Sequence, residues 1–258
     1  MLTPRIIPCL LIHNNGLVKT VKFKDPKYVG DPLNAVRIFN EKEVDELMVV
    51  DIDASAEGKE PNYRLIQNLA TECRMPLCYG GGIRTADEAQ HVFSLGVEKI
   101  AMSASAIQTP ELITEIAERV GNQSVVVVLD VKKKLFGHKY EVYSHNGKRA
   151  TGLDPFKFST KCEDLGAGEI IINSIDQDGT MSGYDHSLID KIRKVISIPM
   201  TVLGGAGTLN DIGLLIEEHG IIGVAAGSLF VFKGKYKAVL INYPNPQEKQ
   251  QLLEKYYH

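Results

Sequence analysis

Short apolar runs recur along the chain, separated by segments whose apolar positions follow helical spacing. The first is "RIIPCLLI" (5–12), apolar on both faces. Seven more follow, at 46–51, 76–79, 99–102, 124–131, 169–173, 199–203 and 223–226. A strand apolar on both faces belongs to a parallel sheet covered by helices. The segments between carry helix signals. Asp31 followed by Pro32 opens "DPLNAVRIFNEK". "TADEAQHVFSLG" ends on Gly96, "TPELITEIAERVG" ends on Gly121, and Asn245-Pro246 opens a last helix. Eight strands alternating with helices predict an α/β fold, a closed (β/α)8 TIM barrel, as one domain over 1–258.

The pattern also repeats. "YGGGIRTADEA" is echoed by "LGGAGTLNDI", and "MSASAI" by "AAGSLF". "VDIDASAEG" is echoed by "SIDQDGTMSG". The register predicts two half-barrels of four β/α units, roughly 1–122 and 123–258. In that register Leu11 on the first strand corresponds to Asp130 on the fifth.

Composition narrows the class. The net charge is −3, which argues against a nucleic-acid or membrane-surface role, although a local basic patch is compatible with it. Cys9, Cys73, Cys78 and Cys162 lack metal-ligand spacing and read as reduced core thiols. No cofactor or metal is expected. The first apolar run is too short for a signal peptide, and no stretch approaches a membrane span, so a cytoplasmic location is expected.

The candidate chemistry lies at strand ends. Gly81-Gly82 follows the third strand, and Gly204-Gly205 the seventh. Small-residue turns holding Ser103, Ser105, Gly227 and Ser228 follow the fourth and eighth. Glycine admits a ligand close to the backbone, and hydroxyls with free N–H groups hold phosphate there. Two matched sites predict a phosphorylated small-molecule ligand with a phosphate at each end. Asp51, Asp130, Asp176 and Asp178, with Gly179, lie at or beyond strand C-terminal ends, the face that carries chemistry in barrels. Carboxylates there serve as general acid or base. Asp130 follows five apolar residues, whereas Asp178 also suits a turn. His13 and Lys19 fall after the first strand. Lys19 belongs to a basic segment that reads either as a mobile loop closing on an anionic ligand or as a solvated charge run. Arg5, Glu46, Lys99 and Glu169 each begin a strand. On a barrel floor they form either a structural plug of ion pairs or a gate on the axis.

Together "RIIPCL", "DELMVVDIDAS", "YGGGI", "VVVVLD", "TGLDP", "GAGEIIINSIDQDGTMSGYD" and "LGGAGT" resemble the cyclase subunit of imidazole glycerol phosphate synthase over nearly the whole chain. The resemblance implies a bisphosphorylated ribulosyl substrate, PRFAR, and a glutaminase partner docked at the N-terminal face. It implies that Arg5, Glu46, Lys99 and Glu169 are an ammonia gate, with Glu98 on the partner-facing rim. Asp130 matches one of the family's two catalytic aspartates, and Leu11 stands where the other is expected. Asn173, Leu203 and Ser103-Ala104 depart from the family pattern as well. An intact gate without the acid/base pair resembles the paralogous branch associated with a sugar amidotransferase and acetamidino-sugar formation in surface-polysaccharide pathways. A true histidine-pathway cyclase and a non-catalytic activator of a glutaminase are the other readings.

Overall fold

The computed structural model describes residues 3–134 and 139–257. Eight parallel strands form the barrel: β1 (Arg5–His13), β2 (Leu47–Asp51), β3 (Leu77–Gly80), β4 (Lys99–Met102), β5 (Val125–Lys133), β6 (Glu169–Ser174), β7 (Met200–Leu203) and β8 (Gly223–Ala226). Each pairs with the next, and β8 pairs with β1 (Arg5 opposite Gly223), so the sheet closes on itself. The (β/α)8 TIM barrel predicted from the apolar pattern is the observed fold.

Alternation along β1 shows how the core is divided. Ile6, Leu10 and Ile12 point outward into the large core between strands and helices. Ile7, Cys9 and Leu11 point inward, onto a second cluster with Met48, Cys78, Val126, Val128, Ile171 and Leu203. Both faces are buried, which is why the strands read as continuous apolar runs. Helix caps follow the sequence signals. Asp31 caps Pro32–Glu41 by accepting from Asn34 N–H, and Thr85, Thr208 and Asn245 form capping boxes. Cys9, Cys78 and Cys162 are buried and Cys73 is half-buried, all as free thiols.

Two decorations sit on the C-terminal face. Strands Gly16–Val21 and Lys24–Gly30 form an antiparallel hairpin continuing from β1. Tyr140–Ser144 and Arg149–Ala150 extend β5 in the same manner. The segment around Lys19, which read as either a mobile basic loop or a solvated charge run, is therefore a paired strand. Leu17, Val18, Lys19 and Thr20 are all buried, and this fixes its register. Among the described residues no helix is long and apolar enough to cross a membrane.

Candidate functional site

The inward alternation that places Ile7 and Cys9 in the barrel also places Arg5 at its floor. Arg5 donates to Glu46 and, at 2.7 Å, to Glu169. Lys99 Nζ donates to both oxygens of Glu46 (3.1 and 2.9 Å) and to Glu169 Oε2 (2.9 Å). Thr201 Oγ1 donates to Glu169. The four charges thus form a closed alternating ring across the axis, with Glu46 and Glu169 5% and 4% exposed. Burial alone would raise the Glu169 carboxyl. Arg5 and Lys99 outweigh it and hold the group below its usual range. Burial alone would lower the Lys99 amine, and Glu169 and Glu46 reverse that. Thr201 and Gly223 complete the floor and were not read from the sequence. A Cβ on Gly223 would lie 1.8 Å from Thr201 Oγ1 and 3.3 Å from the Arg5 guanidinium, so glycine there leaves the ring its room. Glu98 is exposed at the start of β4, where its carboxylate accepts from Leu77 N–H at 2.8 Å.

At the opposite end opens a cavity of about 700 Å³. Asp130, Lys19, Asp51, Gly82, Ser103, Asp178, Gly179, Gly204, Gly205, Gly227 and Ser228 all border it. Leu11, Val50, Val128 and Leu203 make part of its wall apolar. Asp130 stands opposite Asn173 in the β5–β6 register, and Asn173 Nδ2 donates to its Oδ1 at 2.9 Å. Burial pushes the Asp130 carboxyl up to about 7, against that hydrogen bond and helped by Asp178. It is therefore poised to exchange a proton near neutrality. Leu11, two positions below His13 on the inward face of β1, offers no such group.

The other carboxylates divide by role. Asp178 accepts from Thr20 Oγ1 (2.8 Å) and Phe23 N–H (3.2 Å), and so pins the first hairpin. Asp51 accepts from Asp53 and Ala54 N–H. Asp176 does not border the cavity; it accepts from Lys133 N–H at the end of β5. His13 and Asp53 form a pair that the sequence reading did not connect, His13 Nδ1 to Asp53 Oδ1 at 2.6 Å, and both border the cavity.

Both glycine turns place two successive residues at positive φ. Gly81 and Gly82 have φ of 118° and 81°, and Gly204 and Gly205 have 92° and 124°. A Cβ on Gly205 would fall 2.1 Å from Gly183 O. Only glycine fits that conformation and that approach. Near the first turn the Ser103 hydroxyl is buried without a hydrogen-bond partner, while Gly82 N–H donates to Ser55 Oγ at 3.2 Å. Near the second, the Lys19 amine donates to Cys9 O and lies 2.4 Å from where a Gly227 Cβ would stand. Burial lowers the Lys19 amine, and Cys9 and Asp178 oppose that shift. Among the described residues no group of three or more His, Cys, Asp or Glu could hold a metal ion.

A closed eight-stranded barrel with a charged floor and a glycine-bordered cavity at its C-terminal mouth places this chain among the TIM-barrel proteins. The sequence profile described as "Histidine biosynthesis protein" matches residues 5–237. A Leptospira borgpetersenii protein named "Putative imidazole glycerol phosphate synthase subunit HisF" is 61% identical over 252 residues, covering 98% of this chain and 99% of that one. A Vibrio vulnificus protein named "Putative imidazole glycerol phosphate synthase subunit hisF3" is 56% identical, covering 98% of each. The Lactococcus lactis "Imidazole glycerol phosphate synthase subunit HisF" is 40% identical, covering 89% of each. The chain belongs to the histidine biosynthesis protein family, within its HisF group.

Proposed function

We propose that this chain is the barrel subunit of an ammonia-using synthase. A glutaminase docks at the N-terminal face, near Glu98, and releases ammonia at the floor. Ammonia passes the ring of Arg5, Glu46, Lys99 and Glu169 and meets a phosphorylated ligand in the cavity. Asp130 then exchanges protons with the reacting centre. The glycine turns at Gly82 with Ser103, and at Gly204-Gly205 with Gly227, Ser228 and Lys19, hold the phosphates. The destination we favour is amidation of an acetamido sugar to an acetamidino sugar for surface polysaccharide, with a sugar amidotransferase as a further partner.

The observation that carries this reading is the complete four-charge ring beneath a cavity whose wall includes Leu11, at the position where the family resemblance expects a proton-transferring group. Four buried charges are tolerated because they pair. A long lysine at the perimeter opens such a ring by rotating one side chain. The second reading, an ordinary cyclase acting on PRFAR, is favoured by Asp130 with its raised carboxyl.

The test is reconstitution with the native glutaminase. Glutamate and amidated product are measured together, with PRFAR and with an acetamido sugar nucleotide as acceptors. Lys99→Ala should change the ratio of product to glutamate, and free ammonium should bypass the defect. An unchanged ratio reduces the ring to a structural plug. Full turnover of PRFAR by the wild type would favour the second reading.

A further inference from the structure

Eight large apolar side chains are exposed among the described residues, and five of them crowd onto two hairpins at the C-terminal face. Val21 and Tyr28 belong to the hairpin 16–30. Tyr236, Val239 and Leu240 belong to a second, formed by Phe232–Lys233 and Ala238–Val239. Tyr236 is 91% exposed and Tyr28 66%. The hairpins touch: Lys27 Nζ lies 5.3 Å from the centre of the Phe232 ring.

The same hairpins carry Lys22, Lys24, Lys27, Lys233, Lys235 and Lys237, all exposed. None of the six forms an ion pair with a described residue. Asp25 is the acidic residue within 16–30, and 232–240 has none. A chain of net charge −3 therefore concentrates positive charge without acidic partners on one rim.

We infer that this rim is a docking surface for an anionic membrane, with Tyr28, Tyr236, Val239 and Leu240 entering the headgroup layer and the six lysines facing acidic headgroups.

The composition of the patch decides between occupants. Protein interfaces are enriched in arginine and depleted in lysine, and bidentate phosphate recognition also favours arginine. Neither hairpin contains an arginine. Four to eight basic residues beside exposed apolar groups match a diffuse anionic surface, which needs charge density and no fixed geometry. Tyrosine is enriched at such interfaces because its ring is apolar and its hydroxyl stays wet. Lysine stems cover apolar surface while the amines reach outward. Phe23, Lys24, Asp25 and Pro26 also border the cavity, so a membrane on this rim would face the mouth.

The test is co-sedimentation of the full chain with vesicles of phosphatidylcholine, with and without phosphatidylglycerol, at low and at molar salt. Binding should require phosphatidylglycerol and fall steeply with salt. Each lysine near the surface contributes about a fivefold change in affinity. The variant Lys233→Glu/Lys235→Glu/Lys237→Glu should therefore bind at least about 100-fold more weakly. Circular dichroism would confirm its fold. Tyr236→Ser/Leu240→Ser should weaken binding with every lysine in place. No binding to the phosphatidylglycerol vesicles overturns the inference. So does equal binding to both vesicle types, or a folded triple variant that binds as the wild type does. If Tyr236→Ser/Leu240→Ser binds like the wild type and soluble polyphosphate displaces the vesicles, the rim is a general anion site and the inference also fails.

Discussion

Replacing Lys99 by methionine removes one of two cations from a ring that also holds two buried carboxylates. Glu46 and Glu169 would then share Arg5 alone. Lys99 makes three hydrogen bonds to them, at 2.9–3.1 Å. Breaking a buried ion pair by removing one partner costs about 3–5 kcal/mol, because a charge is left uncompensated. Lys99 is 20% exposed on its side chain, so the lower figure, about 3 kcal/mol, applies. A domain of this size loses about 2–4 °C per kcal/mol, so the midpoint should fall by about 6–12 °C. Adding Glu46→Gln restores the balance with one cation and one carboxylate, and should recover most of the loss. The pH dependence has a defined sign. Glu169 is held below its ordinary 4.5, so its stabilisation is present above that value and lost as pH falls through the lowered one. Lys99 is raised above 10.5, so its stabilisation is present below that value and lost at higher pH. The deficit of Lys99→Met should be greatest on the plateau between these limits and shrink as pH falls below 4.5, through the lowered value of Glu169. Urea unfolding of the wild type, both single variants and the double variant at neutral and acid pH measures this. Additive losses in the double variant would refute the account, as would a single-variant loss under about 1 kcal/mol.

Further expectations concern the mouth. Burial holds Asp130 up near 7, so its ionisation opposes folding as pH rises toward that value, and Asp130→Asn should stabilise the chain more at pH 8 than at pH 5 in thermal melts. The isolated chain should turn over PRFAR with ammonium only weakly, because Leu11 cannot share proton transfer. Leu11→Asp should raise that rate, up to the 10²–10⁴-fold typical of a general acid or base. Gly205→Ala should abolish stabilisation by inorganic phosphate and itself cost about 1–3 kcal/mol, since its Cβ would meet Gly183 O; calorimetry with and without phosphate reads both effects.

The barrel strands were legible because both faces of each are buried, which leaves long apolar runs. The ring was legible for the same reason, since a charge opening such a run needs a partner. The hairpin 16–30 was not. Its turns use positive φ at Asn14, Asn15, Lys22 and Phe23, and no glycine marks the second of them. Lys19 read either as part of a loop closing on an anionic ligand or as part of a solvated charge run, and neither reading foresaw its amine buried against Cys9 O. The His13–Asp53 pair joins the ends of β1 and β2, which the parallel pairing of those two strands (Ile12 opposite Asp51) brings together across forty positions of sequence. The lysine-rich rim escaped notice because it joins segments some two hundred positions apart, and a mean charge averages them away.

The pairing of β1 with β8 has a consequence for how the chain is made. Residues 5–12 leave the ribosome over two hundred residues before their partner at 223–226. At cellular elongation rates of about 5–20 residues per second, that is a wait of roughly 10–40 s. Throughout it, one edge of a strand that is apolar from Ile6 to Ile12 stays unpaired. Arg5 waits as well, since Glu169 is also made late. Until residues 223–226 emerge, the nascent chain exposes the kind of unpaired apolar strand edge that holding chaperones shield.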